Sequence, residues 1–378
     1  MTRLKVMTIV GTRPEIIRLS RTMALLDKYT QQVIVHTGQN YDYELNEVFW
    51  KELELRSPDH FLEADVSSLG ATVGDIIRKS EVVLREHKPD ALLVLGDTNS
   101  CLAAYMAKRL HIPVFHMEAG NRSFDFNVPE EINRRVIDHL ADFNLVYTEH
   151  ARRHLLSEGL PHRRIYLTGS PLREVLDHYL PMISRSVILD TLDLRPKEYF
   201  LVSFHREENV DNAVNLQKIV GILDRLAEQY NLPIIVSTHP RTRKRLELLQ
   251  HTPVDGSIRY LKPFGFLDYV FLQMNALCTI SDSGTISEES ALLSLPAISL
   301  RQSMERPEAQ DTGSIILTGL DPDIVSNAIS LAILEKNNRG PVSIPEDYQI
   351  TDTSWRVVKL ILGNSRLSNQ WHGICATK

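Results

Sequence analysis

Short apolar runs alternate along the chain with stretches whose apolar residues recur every three or four positions. The first series of runs is Val6–Val10, Val33–His36, Ala91–Leu95, Val114–Met117 and Leu145–Tyr147. Amphipathic segments such as Ile16–Asp27 and Thr72–His87 separate them. Near-continuous apolar runs of this length predict strands buried on both faces, and strand–helix alternation predicts a parallel sheet wound on both sides. The pattern restarts at Tyr199–Phe204 and continues through Ile234–Thr238, Ile258–Leu261, Leu277–Ser281, Ala297–Leu300 and Ile315–Leu317. Between the two series lies Leu180–Pro196, weakly patterned and with prolines near both ends. The expected architecture is α/β: two Rossmann-like, doubly wound domains over residues 1–180 and 197–353, with carboxyl-terminal strand ends facing a cleft. Ligands bind at such strand ends, where the strand order reverses.

A length of 378 residues fits two cores better than one. A formal charge of −6 argues against a nucleic-acid partner, which calls for a basic face. Substrate phosphates must then be held by a few placed cations and backbone N–H groups. The apolar run after Met1–Lys5 is too short for a signal-peptide core, and no run reaches the ~18 residues of a membrane helix. Cys101, Cys278 and Cys375 form no C-x-x-C pair. The set fits a reducing cytoplasm and offers no zinc site. The seventeen glycines contain no G-x-G, and none precedes a lysine, so neither the dinucleotide fingerprint nor the P-loop can be written. No redox cofactor and no metal are expected.

Candidate chemistry falls just after the strands. Gly11-Thr12-Arg13-Pro14-Glu15 follows the first, with Arg13 suited to a diphosphate and Arg18 a turn further on. A plain strand–helix turn explains the same residues equally well. Asp97 follows Ala91–Leu95, where Asp97 or Thr98 could equally cap a helix over Asn99–Leu110. Glu118 ends the next strand, behind an apolar run, and needs a partner or a function. Glu130 and Glu131 open a helix; dipole stabilisation explains one of them better than both. His205 and His239 end successive strands of the second series. Ser281-Asp282-Ser283-Gly284-Thr285 leads into a helix carrying Glu288 and Glu289, a plausible phosphate seat with Glu289 placed for ribose hydroxyls. Arg301 and Met304-Glu305-Arg306-Pro307-Glu308 add cations nearby.

Together the segments Gly11–Glu15, Gly96–Thr98, Glu118–Gly120, Pro129–Arg134, His205-Arg206, Asp282–Gly284 and Glu305–Glu308 resemble the non-hydrolysing UDP-N-acetylglucosamine 2-epimerase family in order and spacing. The resemblance implies a glycosyltransferase-B arrangement, a homodimer, and a carboxyl-terminal helix (about 354–378, centred on Ser354–Leu362) returning to the first domain. It implies catalytic roles for Asp97, Glu118, Glu130 and His205. It implies UDP contacts for Arg13, Arg18, His205, Ser283, Gly284, Glu289 and Arg306. Arg18 stands where the family has a lysine. Asn121–Asn127 and Glu207 depart from common members and are similar to the branch that makes UDP-N-acetyl-L-fucosamine for surface polysaccharide. Its substrate is UDP-2-acetamido-2,6-dideoxy-L-talose. Gln39 matches the stretch that binds a second, activating UDP-sugar in some members, whereas Asn40-Tyr41-Asp42 does not.

Carbon 2 of such a sugar bears an N-acetyl group and has no carbonyl beside it, so its proton is too weakly acidic for simple removal. Elimination of UDP across carbons 1 and 2, then readdition with protonation from the other face, inverts it without a redox cofactor. That route asks for acid–base groups and for cations that retain UDP. A glycosyltransferase of the same fold, or a non-catalytic UDP-sugar binder, are the readings from other classes. Turnover without an acceptor separates them.

Overall fold

The computed structural model describes residues 3–38, 49–249, 256–340 and 343–374. Gln39–Asp42 and Cys375 lie outside them. The chain divides into two compact units, residues 1–178 with 346–378, and residues 179–345.

The first unit is built on a parallel sheet of β1 (Lys5–Val10), β2 (Gln31–His36), β3 (His60–Phe61), β4 (Ala91–Leu95), β5 (Val114–Ala119), β6 (Phe143–Val146) and β7 (Ile165–Leu167). The strand order is β3-β2-β1-β4-β5-β6-β7, so the winding reverses between β1 and β4. Its helices are α1 (Arg13–Tyr29), α2 (Leu69–His87), α3 (Ala103–Arg109), α4 (Pro129–Leu140) and α5 (Glu149–Ser157). Every residue of β4 is buried, which is why its sequence is apolar without alternation. Met7, Ile9, Leu92 and Val94 pack with Ile76 and Val83 of α2, with Ala103, Ala104 and Ala107 of α3, and with Ile137 of α4.

The second unit repeats the plan with β8 (Phe200–Ser203), β9 (Ile234–Ser237), β10 (Ile258–Leu261), β11 (Cys278–Ser281), β12 (Ala297–Ser299) and β13 (Ile316–Leu317). The order is β10-β9-β8-β11-β12-β13, all parallel, reversing between β8 and β11. Phe200 and Val202 face Leu216, Ile219 and Leu223 of one helix (Ala213–Tyr230) and Val325 and Ile329 of another (Pro322–Arg339). Leu201 and Ile235 turn to the other face and meet Leu272.

Three expectations need correction. The stretch Leu180–Pro196 is not an irregular junction, because a helix over Leu172–Ile183 runs through Leu180 and carries Pro181 inside it. The division falls between His178 and Tyr179, within that helix, and the second unit starts well before residue 197. The segment over Asn99–Leu110 is a 3-10 turn, Asn99–Leu102, followed by α3, not one α-helix. The returning segment starts at Glu346, and its helix spans Thr353–Trp371. It is tied to the first unit where the Thr353 hydroxyl donates to the carbonyls of Thr168 and Ser170, at 3.1 and 3.2 Å. Trp355 also packs on Tyr29 of α1.

Candidate active site

Proline at the start of α1 and of α4 costs no helical hydrogen bond and sets the direction in which each helix leaves its strand. After β1, the turn into α1 is organised by Glu15, a wholly buried carboxylate. It accepts from the Gly11 N–H at 2.9 Å and the Thr12 hydroxyl at 2.8 Å. Its other oxygen accepts from the hydroxyls of Thr98 and Ser100, in the loop after β4. Burial pushes the Glu15 carboxyl above its ordinary value, and these hydrogen bonds only partly offset it. Glu15 thus fastens together the two loops at the order reversal. Arg13 lies half-buried in the first of them, with its guanidinium 5.4 Å from the centre of the Phe49 ring.

Gly96 has φ +76°, a conformation that suits glycine, and turns the chain sharply out of β4 into Asp97. Thr98, not Asp97, caps the next turn, accepting from the Ser100 N–H. The Asp97 carboxylate faces Arg134 instead, whose Nε and Nη2 both donate to Oδ2. Asn133 donates to the Asp97 carbonyl at 2.9 Å.

Glu118 interrupts the ladder between β5 and β6, where the register shifts between Met117 and Ala119. Its φ is +66°, a left-handed conformation that a side-chain-bearing residue adopts at a cost of ~1–3 kcal/mol. Its side chain, 10% exposed, receives Arg18 Nη1 on Oε2 at 2.6 Å. Asn121 donates weakly to its other oxygen, at 3.4 Å. Gly120 must be glycine, because a Cβ there would collide with the Ala151 carbonyl.

The adjacent pair on α4 separates cleanly. Glu131 is fully buried and accepts from the Ser123 N–H at 2.9 Å, from Arg134 at 3.0 Å and from Arg135 at 2.9 Å. Burial pushes its carboxyl up, but these partners outweigh that and hold it below the ordinary range. Glu131 is a structural clasp, and Glu130, half-buried beside it, is left as the candidate. Phe124 and Phe126 are 64% and 67% exposed and flank the Arg135 guanidinium.

In the second unit the loop after β8 is shaped by Asp282, the first residue after β11. Asp282 is completely buried and accepts the N–H groups of His205 at 3.0 Å and Arg206 at 3.1 Å, and the Asn209 amide at 3.0 Å. The His205 ring stays half-exposed, with Nδ1 3.4 Å from Asp282 Oδ1. Ser283 and Gly284 lead into a helix spanning Ile286–Leu293. Arg306 donates to the Gly284 carbonyl at 2.6 Å and lies 3.2 Å from Glu288 Oε1. Gln273 donates to Glu289 Oε2 at 2.6 Å. His239 caps the helix Pro240–Leu248 through Nδ1, the ordinary structural use of a strand-end histidine.

Arg13, Arg18, Asp97, Glu118 and Glu130 therefore belong to the first unit, and His205, Ser283, Gly284, Glu289 and Arg306 to the second. In each unit candidates follow the two strands that flank the order reversal, the position where α/β sheets bind ligands. The anchoring roles of Glu15 and Asp282 were not assigned from the sequence. The signal available was a carboxylate among small polar residues at a strand end, which a solvated loop also produces. Both described cysteines are buried, and burial pushes the Cys278 thiol up to about 12. Among the described residues no helix is long and apolar enough to cross a membrane, and no His, Cys, Asp and Glu cluster is placed to hold a metal ion.

Residues 24–362 match the family model for UDP-N-acetylglucosamine 2-epimerase. The chain is similar to the structure of UDP-N-acetylglucosamine 2-epimerase from Rickettsia bellii, with 47% identity, a TM-score of 0.90, and coverage of 97% of this chain and 98% of that one. It is 37% identical over 349 residues to the enzyme of that name from Methanocaldococcus jannaschii, covering 89% of this chain and 94% of the relative. A crystal structure of that archaeon's UDP-GlcNAc 2-epimerase, in complex with UDP-GlcNAc and UDP, matches with a TM-score of 0.89 and 34% identity over 95% of this chain and 99% of that one. The chain belongs to the UDP-N-acetylglucosamine 2-epimerase family and is an isomerase acting on a UDP-sugar.

Proposed function

We propose that the chain inverts carbon 2 of a UDP-linked 2-acetamido sugar by eliminating and re-adding UDP. We propose further that its preferred substrate is UDP-2-acetamido-2,6-dideoxy-L-talose, which it converts to UDP-N-acetyl-L-fucosamine for surface polysaccharide. The observation that carries the reaction is the loading of both order reversals: carboxylates in the first unit, and a glycine-headed helix beside arginines in the second. The UDP-GlcNAc and UDP bound in the archaeal relative support the substrate class.

In this reading a carboxylate takes the C2 proton while the C1–oxygen bond breaks and its electrons leave with UDP. The product is a 2-acetamidoglycal. UDP then adds back to C1 as an acid protonates C2 on the opposite face. Asp97, Glu118 and Glu130 are the acid–base groups, with His205 beside the departing diphosphate. Arg13, Arg18, Arg306, Ser283 and Gly284 retain UDP, and Glu289 takes the ribose hydroxyls.

The deoxy-L-sugar rests on Asn121–Asn127 and Glu207. Asn121 borders the first site, reaching Glu118, while Arg122 next to it pairs with Asp138 at 2.7 Å. A change of residue type there alters what surrounds the acid–base group. The names of the relatives favour a second reading, UDP-GlcNAc to UDP-ManNAc. An NMR time course in deuterium oxide, with each UDP-sugar and no acceptor, tests both. The expected result is a higher kcat/KM for the deoxy-L-sugar and deuterium at C2 of the product, unchanged by chelator or NAD. Faster turnover of UDP-GlcNAc would assign the second reading, and product that kept its original C2 hydrogen would exclude elimination.

A further inference from the structure

Arg301 lies two residues past β12 and is only 4% exposed. Its Nη2 donates to Glu305 Oε1 at 2.7 Å. Its Nε and Nη1 are buried without a hydrogen-bond partner. A guanidinium stays charged when buried, so two bare N–H groups carry a desolvation cost that an anion fixed beside them would relieve.

The direction in which Nη1 faces is given by Gly284. A Cβ built on that residue would lie 3.5 Å from Arg301 Nη1, 3.6 Å from Arg206 Nη2 and 3.2 Å from Glu305 Oε2. Glu305 also lies 3.5 Å from Arg206, so one carboxylate faces two guanidiniums. The space left by the missing side chain at Gly284 is therefore bordered by two guanidiniums and the single carboxylate they share, and it opens at the head of the helix Ile286–Leu293. The partial positive charge of that helix end favours an anion in the same place.

We infer that Arg301 is a substrate-binding residue: its Nη1 group donates to a non-bridging oxygen of the diphosphate above Gly284 and holds UDP while it is detached from the sugar. This rests on the UDP-sugar reading above. Arg306 is already committed to the Gly284 carbonyl and Glu288, whereas Arg301 Nη1 has no hydrogen-bond partner among the described residues.

Calorimetric titration of the full chain with UDP and with uridine, for the parent, Arg301→Gln and Arg301→Lys, tests the inference. Melting temperatures are recorded alongside. Both variants should lose UDP affinity by about tenfold to a hundredfold, the usual weight of charge-assisted hydrogen bonds, and keep the parent's affinity for uridine. In turnover they should leak UDP and free 2-acetamidoglycal. Lysine keeps the buried charge without the fork, so it carries the test if the glutamine variant does not fold. A folded variant that binds UDP like the parent would overturn the inference while leaving the epimerase reading intact. An equal loss of UDP and uridine would make Arg301 a packing residue. A parent that bound no UDP would remove the epimerase reading, and this inference with it.

Discussion

In the first unit, the carboxylates beside the order reversal face arginines: Asp97 meets Arg134 and Glu118 meets Arg18. In the second unit, the buried carboxylate at the equivalent place, Asp282, is surrounded by the N–H groups of His205 and Arg206 and the Asn209 amide. One sheet plan thus carries two kinds of site. A carboxylate tied to a buried side-chain guanidinium keeps lone pairs that can take a substrate proton. A carboxylate tied to fixed backbone donors is spent on holding a loop in shape. Being acidic and buried at a strand end does not separate the two; the nature of the donors does.

The largest effect should come from removing ionisation at the candidate acid–base groups of the first unit. Asp97→Asn, Glu118→Gln and Glu130→Gln should each lower kcat by ~10²–10⁴-fold with little change in UDP binding. Parent-like turnover in all three would reduce the first site to scaffolding. Next comes Arg18→Met, which removes the guanidinium from Glu118 Oε2; kcat should fall, and Arg18→Lys should lower it less. Parent-like turnover in Arg18→Met would separate this pair from the reaction.

Asp282→Asn tests the other half of the comparison. The new amide would turn donors toward donors that cannot rotate away, so the second unit should lose stability, about 2 kcal/mol and ~4–8 °C in melting temperature. Glu15→Gln should do least, because two of its donors are the hydroxyls of Thr98 and Ser100, which can turn and accept. Burial raises the Glu15 carboxyl, so the folded chain keeps this proton to higher pH than the unfolded chain. Its contribution to stability is fully present below its ordinary value of 4.5 and is lost as pH rises through the raised folded value. The glutamine variant lacks that loss. Urea unfolding should therefore show it gaining on the parent from about pH 4 toward neutrality.

The doubly wound plan was legible because both sheets are buried on two faces, which writes uninterrupted runs such as Ala91–Leu95. Two short edge strands of the first unit were not: β3 is two residues and β7 three, whereas β13, also two residues, was read from the run Ile315–Leu317. The helix through Leu180 was hidden by Pro181, since an interior proline usually signals a break. The candidate residues could be placed on strand ends from spacing alone. What spacing could not show is which carboxylate faces which donor. Glu130 and Glu131 are neighbours in sequence, and nothing in their spacing shows that Glu131 accepts from Ser123 and Arg134.

The return of residues 346–378 to the first unit makes the second unit an insertion within it. On the ribosome, all of residues 179–345 emerge before the helix Thr353–Trp371 can bring Val357, Val358 and Ile361 to their buried places. The usual order, in which the amino-terminal part matures first, is therefore turned round: the later-made unit can finish folding while the earlier one still waits for a helix. Until that helix arrives, the earlier unit leaves α1 without one of its packing partners, so the nascent chain should be most exposed to proteases and chaperones there.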